Sequence, residues 1–154
     1  MPDIRPLPAG HRALLAPLLG AYAADMARHL AGEAPASGPA IAAMLDADPR
    51  TQVLVAWDGA APIGFAIIFE LTEAVFCRAC GALDDLFVTP DQRGRGIARA
   101  LIAATVALGR SRGWSHLRWI VPEADGDAIA LYERIAERAD WRSYVIRLDP
   151  GASL

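Results

Sequence analysis

The chain contains no lysine and no asparagine, and all 15 of its basic side chains are arginine. A Walker A phosphate loop ends in Lys-Ser or Lys-Thr, so that mode of nucleotide binding is excluded outright. Positive charge is also short. Against 18 acidic residues the formal net charge is −3, which argues against a sequence-independent grip on nucleic acid. No apolar run approaches the ~20 residues of a membrane span. The first residues carry Asp3 and early prolines rather than a basic-then-apolar leader, so a protein of the cytoplasm, without membrane partners, is expected. Cysteine is nearly absent. Cys77 and Cys80 have C-x-x-C spacing, but they precede an expected strand rather than open a helix. The histidines, His11, His29 and His116, are scattered along the chain, so two free thiols and no metal site are expected.

What remains is a chain of 154 residues, 54% hydrophobic and 21% charged, sized for one folded domain over 1–154. Ile4 to Pro8 reads as a proline-flanked edge strand. Arg12 to His29 carries apolar residues at helical spacing, including Leu15, Leu18, Leu19, Tyr22 and Met26. After a Gly/Pro/Ser-rich loop, Ile41 to Leu45 predicts a short helix. "TQVLVAW", "DGAAP" and "IGFAIIFEL" predict a hairpin turning on Asp58-Gly59. "ALDDLFV" is the next strand, Ile97 to Arg112 an amphipathic helix and "HLRWIV" a further strand. Ala128 to Arg138 is a last helix and "SYVIRL" a last strand. Hairpins followed by a strand–helix–strand crossover predict an α/β fold on a mixed sheet.

The densest signal is "LFVTPDQRGRGIARAL", a strand, a turn with two glycines and three arginines, then a helix. A helix N-terminus offers unpaired N–H groups and a positive dipole end, and glycine lets a bulky anion approach the backbone. This is a cradle for pyrophosphate. The dinucleotide fingerprint would need Gly or Ala where Arg99 stands, and no acidic residue follows at the ribose-binding distance.

Arg93-Gly94-Arg95-Gly96-Ile97-Ala98 fits R-x-x-G-x-[G/A], and this stretch resembles the acetyl-CoA loop of the GNAT N-acetyltransferase superfamily. "DGDAIALYE", about thirty residues on, is similar to the family's N-x-x-A-x-x-L-Y-E segment, and "IRPLPAGH" to its first strand. The resemblance spans Ile4 to Leu148. It implies a mixed, mostly antiparallel sheet with a splayed central strand pair, flanked by about four helices. The splay would come from a bulge near Leu86. Backbone groups of Leu86, Phe87 and Val88 would hold the pantetheine arm, and N–H groups from Arg93 through Arg99 the pyrophosphate of acetyl-CoA. Asp125 replaces the family asparagine at a cofactor-binding position, bringing a negative charge near the cofactor, and should still cap the last helix. The usual Gly-Phe after that helix is missing. Members are often dimers, so a homodimer is expected.

The chemistry constrains the remaining roles. A primary ammonium is only about one part in a few thousand neutral at pH 7, so acyl transfer to it needs a group that takes its proton. The pair Asp84-Asp85 lies on the cofactor strand, and alternation puts the two on opposite faces. The family position implies Asp84 as the base and Asp85 as an acceptor contact. Tyr132 occupies the position of the acid that protonates the leaving thiolate. "LDDLFV" with a later Trp-x-x-Tyr is similar to the diamine and polyamine acetyltransferase branch. A small cationic acceptor, a polyamine or basic amino acid, is therefore expected, with Glu70 and Glu73 adding to the acidic field. A non-catalytic acyl-CoA sensor or interaction module is the alternative.

Overall fold

The computed structural model describes residues 2–30, 34–146 and 148. Five strands form one sheet in the order β1-β2-β3-β4-β5: β1 (Asp3–Pro6), β2 (Thr51–Asp58), β3 (Ala61–Glu73), β4 (Arg78–Val88) and β5 (Leu117–Arg118). All neighbours are antiparallel except β4 and β5. Four α-helices accompany them: α1 (Ala16–Ala27), α2 (Gly38–Ala47), α3 (Ile97–Ser111) and α4 (Gly126–Ile135). Local chemistry sets the ends. Pro17 and Pro39 occupy first-turn positions, where no N–H is needed. Ser37 caps α2 by accepting from the Ala40 N–H at 3.4 Å. The hairpin between β2 and β3 turns on Asp58-Gly59.

Alternation along β2, β3 and β4 supplies two cores, one on each face of the sheet. Val53, Val55, Phe65, Ile67 and Phe87 pack with Leu15 and Leu19. Leu54, Ala56, Ala66, Ile68, Leu83 and Val88 pack against Ile97, Leu101 and Ile102 of α3. Arg12, almost fully buried, ties the first core shut by donating to the Pro8 and Thr51 carbonyls at 3.2 and 3.4 Å.

The central pair is splayed, as the resemblance implied. Among the described residues β4 and β5 pair in parallel only at Gly81–Leu117 and Ala82–Arg118, and the rest of β4 has no strand beside it on that edge. The bulge lies at Asp84, two residues before the expected place: Ile67 pairs with Asp85 and Ile68 with Leu83, leaving Asp84 as the extra residue.

Three expectations need correction. β4 begins at Arg78, so Cys80 is a buried strand residue rather than part of a connection, and only Cys77 is exposed. β5 is two residues long, because Trp119 to Val121 turn away along the cleft. No strand forms at 143–146 or at 148, where Tyr144, Val145, Ile146 and Leu148 are exposed. An alternating pattern makes a strand only where an edge supplies hydrogen bonds, and the short β5 supplies almost none. Arg147 lies outside the described residues.

Candidate active site

β4 ends at Val88, a short 3₁₀ turn over Pro90–Gln92 follows, and the chain then passes through Gly94 and Gly96 into α3. Both glycines are left-handed, with φ 75° and 77°, a conformation that costs other residues. A Cβ at either would meet nothing within 4 Å, so open space lies where a ligand would approach. From Gly94 to Arg99 no backbone N–H has a protein acceptor among the described residues; the first helical bond is from the Ala100 N–H to the Gly96 carbonyl, at 3.0 Å. A run of unpaired N–H groups at the positive end of a four-turn helix fits a pyrophosphate.

The three arginines are not equivalent. Arg93 donates to the Val88 carbonyl at 3.1 Å and to the Asp25 carboxylate at 3.0 Å. Arg95 donates to the Gln92 side chain at 3.1 Å. Arg99 lines the cleft and makes no hydrogen bond or ion pair among the described residues.

The loop forms one end of a cleft of about 1130 Å³. Its floor is β4 from Leu83 to Val88, including Leu86 and Phe87, and the loop from Gln92 through Ile97, Ala98 and Arg99 bounds it below α3. Trp119 to Pro122 and α4 make one wall, and the end of α1 the opposite one. The side-chain ring of Tyr132 sits against Trp119, with centroids 5.3 Å apart, and packs onto the α3-side core. Burial, and after it the Asp125 carboxylate, raises the Tyr132 phenol above its ordinary value, so it stays protonated at neutral pH. Asp125 caps α4 by accepting from the Ala128 N–H at 3.1 Å, as its side chain can do in place of asparagine.

The bulge decides where the acidic pair stands. Without it, Leu83, Asp85 and Phe87 would share a face. With the extra residue Asp84, Leu83 belongs to the α3 side while Asp85 joins Phe87 on the α1 side, opposite Ile67. Asp84 is exposed and lines the cleft. Asp85 is half-buried, and its pKa is raised: burial is the main cause and the Asp84 charge adds to it, while the nearby Tyr22 hydroxyl opposes both. Asp85 forms no salt bridge among the described residues. The Tyr22 phenol is itself pushed well above its ordinary range, by burial first and then by Asp85. The Tyr22 ring is fixed against Phe65 and Phe87, at centroid distances of 5.7 and 5.6 Å.

Glu70 and Glu73 are not part of this site. They sit at the far end of β3, where Trp114 donates to Glu70 at 2.6 Å and Arg78 to Glu73 at 2.5 Å. Their charge is met there, so they add nothing to the field in the cleft. Glu73 also lies within 4.8 Å of Cys80 and His116, and Arg78 and Arg118 already flank its carboxylate. Tyr22 and Asp25 were not anticipated as site residues. Their helical spacing marks α1 as amphipathic but not which residues its last turns aim at β4.

Residues 21–136 match the family described as "Acetyltransferase (GNAT) family". Over 90 residues the chain is 34% identical to streptothricin acetyltransferase of Streptomyces lavendulae. That match covers 58% of this chain and 45% of that protein, so the chain matches less than half the length of this curated relative. Among solved structures, a ribosomal-protein-alanine N-acetyltransferase from Brucella melitensis biovar Abortus 2308 superposes with a TM-score of 0.81 at 34% identity. It covers 96% of this chain and 100% of its own. An aminoglycoside acetyltransferase from an uncultured soil metagenomic sample superposes with a TM-score of 0.77 at 26% identity, covering 97% and 99%.

Proposed function

The chain belongs to the Acetyltransferase (GNAT) family, and from that premise we propose that it transfers an acetyl group from acetyl-CoA to a primary amine of a small cationic acceptor. Both substrates would be present in the cleft together. The glycine loop supports the donor half: unpaired N–H groups from Gly94 to Arg99 suit the pyrophosphate, and the unpaired edge of β4 over Leu86, Phe87 and Val88 suits the amide-bearing pantetheine arm. The thioester supplies the activated acyl group.

The observation that carries the acceptor half is Asp85. A half-buried carboxylate beside a second carboxylate, with no basic partner, is costly to ionise. A bound ammonium relieves that cost, so the acidic end of the cleft complements a cation. Asp84, exposed at the bulge, takes the proton of the ammonium directly or through water. Asp85, held by Tyr22, contacts the cation. A backbone N–H of the bulged strand stabilises the carbonyl oxygen as charge builds on it. Tyr132, kept protonated, returns a proton to the departing thiolate. Diamines, polyamines and basic amino acids are the acceptors this arrangement favours.

One relative favours a second reading. The 34% identity to a ribosomal-protein-alanine N-acetyltransferase makes a protein N-terminal amine the competing acceptor. The streptothricin and aminoglycoside acetyltransferases are named for small-molecule acceptors. An acetyl-CoA consumption assay decides between them with spermidine, arginine, an aminoglycoside and a peptide beginning in alanine. Turnover of the small cations above the peptide is expected; the reverse order transfers the site to the second reading. No turnover with any amine, while CoA still binds, would leave an acyl-CoA sensor.

A further inference from the structure

Arg93 opens the glycine loop and lines the cleft, and its guanidinium is engaged by protein groups. Nε donates to the Val88 carbonyl at the end of β4, at 3.1 Å. Nη2 donates to Asp25 Oδ2 at 3.0 Å, joining residues 68 positions apart. The cation lies 5.7 Å from the centroid of the Phe87 ring. Asp25 is anchored on its own helix side by Arg28 as well. One side chain thus holds three things: the root of the loop, the end of the cofactor strand, and the last turns of α1. Three residues before Asp25, α1 carries Tyr22, whose ring packs against Phe87 and whose hydroxyl acts on the Asp85 carboxylate.

We propose that Arg93 is a positioning residue whose pairing with Asp25 couples occupation of the glycine loop to the order of the α1 wall of the cleft. This rests on the acetyl-CoA reading of the loop. An anion on the Gly94–Arg99 N–H groups fixes the loop, the fixed loop holds Arg93, and Arg93 holds Asp25 and with it the helix that carries Tyr22. The coupling is reciprocal: anything that orders α1 must favour the loaded loop by the same factor. Arg99, without a partner among the described residues, is left as an arginine able to meet a phosphate.

The test is a double-mutant cycle on CoA binding, read by calorimetry, with Arg93→Gln, Asp25→Asn and the double variant. The pair is partly exposed, so each single change should weaken CoA affinity by only about two- to fivefold. The double variant should be no weaker than Arg93→Gln alone, because that change already removes the one contact that Asp25→Asn removes. Hydrogen exchange supplies the second readout. In the wild type CoA should slow exchange at residues 22–27 as well as in the loop, whereas in either variant only the loop should slow. Arg93→Lys, which retains the charge facing Asp25, should restore part of the α1 protection. The proposal is overturned if Arg93→Gln weakens CoA while Asp25→Asn leaves it unchanged or tightens it, since the guanidinium would then serve a phosphate directly. It is equally overturned if CoA protects α1 alike in all variants, or in none. A wild type that binds no CoA overturns the underlying reading, and this proposal with it.

Discussion

The two ends of the cleft are built of different material. The donor end is backbone: two left-handed glycines, a row of unpaired N–H groups and the open edge of β4. The acceptor end is side chains: Asp84, Asp85 and Tyr22, with Asp25 behind them. In the proposed function, backbone recognises what every acetyl-CoA user shares, through conformation, and side chains recognise what varies, the acceptor, through charge. Substitutions should therefore fail differently at the two ends, in rate or CoA affinity at one and in acceptor affinity at the other.

The largest effect is expected at Tyr132. Tyr132→Phe keeps the packing against Trp119 and removes only the proton donor. Turnover should fall about 100-fold with CoA affinity nearly unchanged. Wild-type turnover, measured where chemistry is limiting, would remove the phenol from the reaction.

Gly96→Val should weaken CoA binding tenfold or more, which is at least about 1.4 kcal/mol, because the branched side chain fills the space above the N–H groups. Gly59 in the β2–β3 hairpin also has positive φ and open space around it. Gly59→Val carries similar backbone strain outside the cleft and separates strain from blocking. It should lower stability and leave CoA affinity alone. Equal loss of CoA affinity in both would make the Gly96 effect a matter of folding.

Asp85→Asn should act oppositely on function and stability. The Michaelis constant for a diamine should rise severalfold, with a smaller change in turnover, as loss of a substrate contact does. The folded-state pKa of Asp85 lies above that of an unfolded aspartate, so the folded state binds more protons between the two values. Stability therefore declines as pH rises through that window, and at neutral pH the carboxylate carries its full cost. Removing the charge should raise the melting temperature by a few degrees, for a gain of about 1 kcal/mol. A lower melting temperature would mean that the carboxylate is paired after all.

The smallest effect is a shift in pH profile. The Tyr22 hydroxyl holds the Asp85 pKa below where burial alone would put it. Tyr22→Phe should move it further up. The pH below which acceptor affinity is lost should then lie higher than in the wild type. An unmoved profile would show that Asp85 does not govern acceptor binding.

The same division explains what the sequence disclosed. The loop was legible because its function lies in local conformation, and Gly94 and Gly96 declare that conformation by residue type. The hairpin at Asp58-Gly59, the caps at Ser37 and Asp125 and the amphipathic α3 are local in the same sense. The acceptor end was half legible. Two adjacent aspartates are visible in the sequence, but simple alternation put them on opposite faces, and the bulge at Asp84 reset the alternation of everything before it. The Tyr22–Asp85 and Asp25–Arg93 contacts join residues more than 60 positions apart and leave no spacing to read. Glu70 and Glu73 misled for the complementary reason: their acidity is plain in the sequence, while the Trp114, Arg78 and Arg112 partners that absorb it are brought up only by the fold.

The central claim is that the acidic end selects a cation and the exposed member of the pair takes its proton. The most direct measurement is kcat/KM for 1,4-diaminobutane and for 4-aminobutanol, its neutral-tailed analogue, in the wild type and in Asp84→Asn across pH 6–9. The account predicts that the wild type prefers the diamine by about tenfold or more, roughly the worth of one desolvated charge contact. It also predicts that Asp84→Asn loses turnover on both amines and regains part of it as pH rises and solution supplies neutral amine. Equal use of the two amines by the wild type, together with an Asp84→Asn loss that no rise in pH restores, would contradict it.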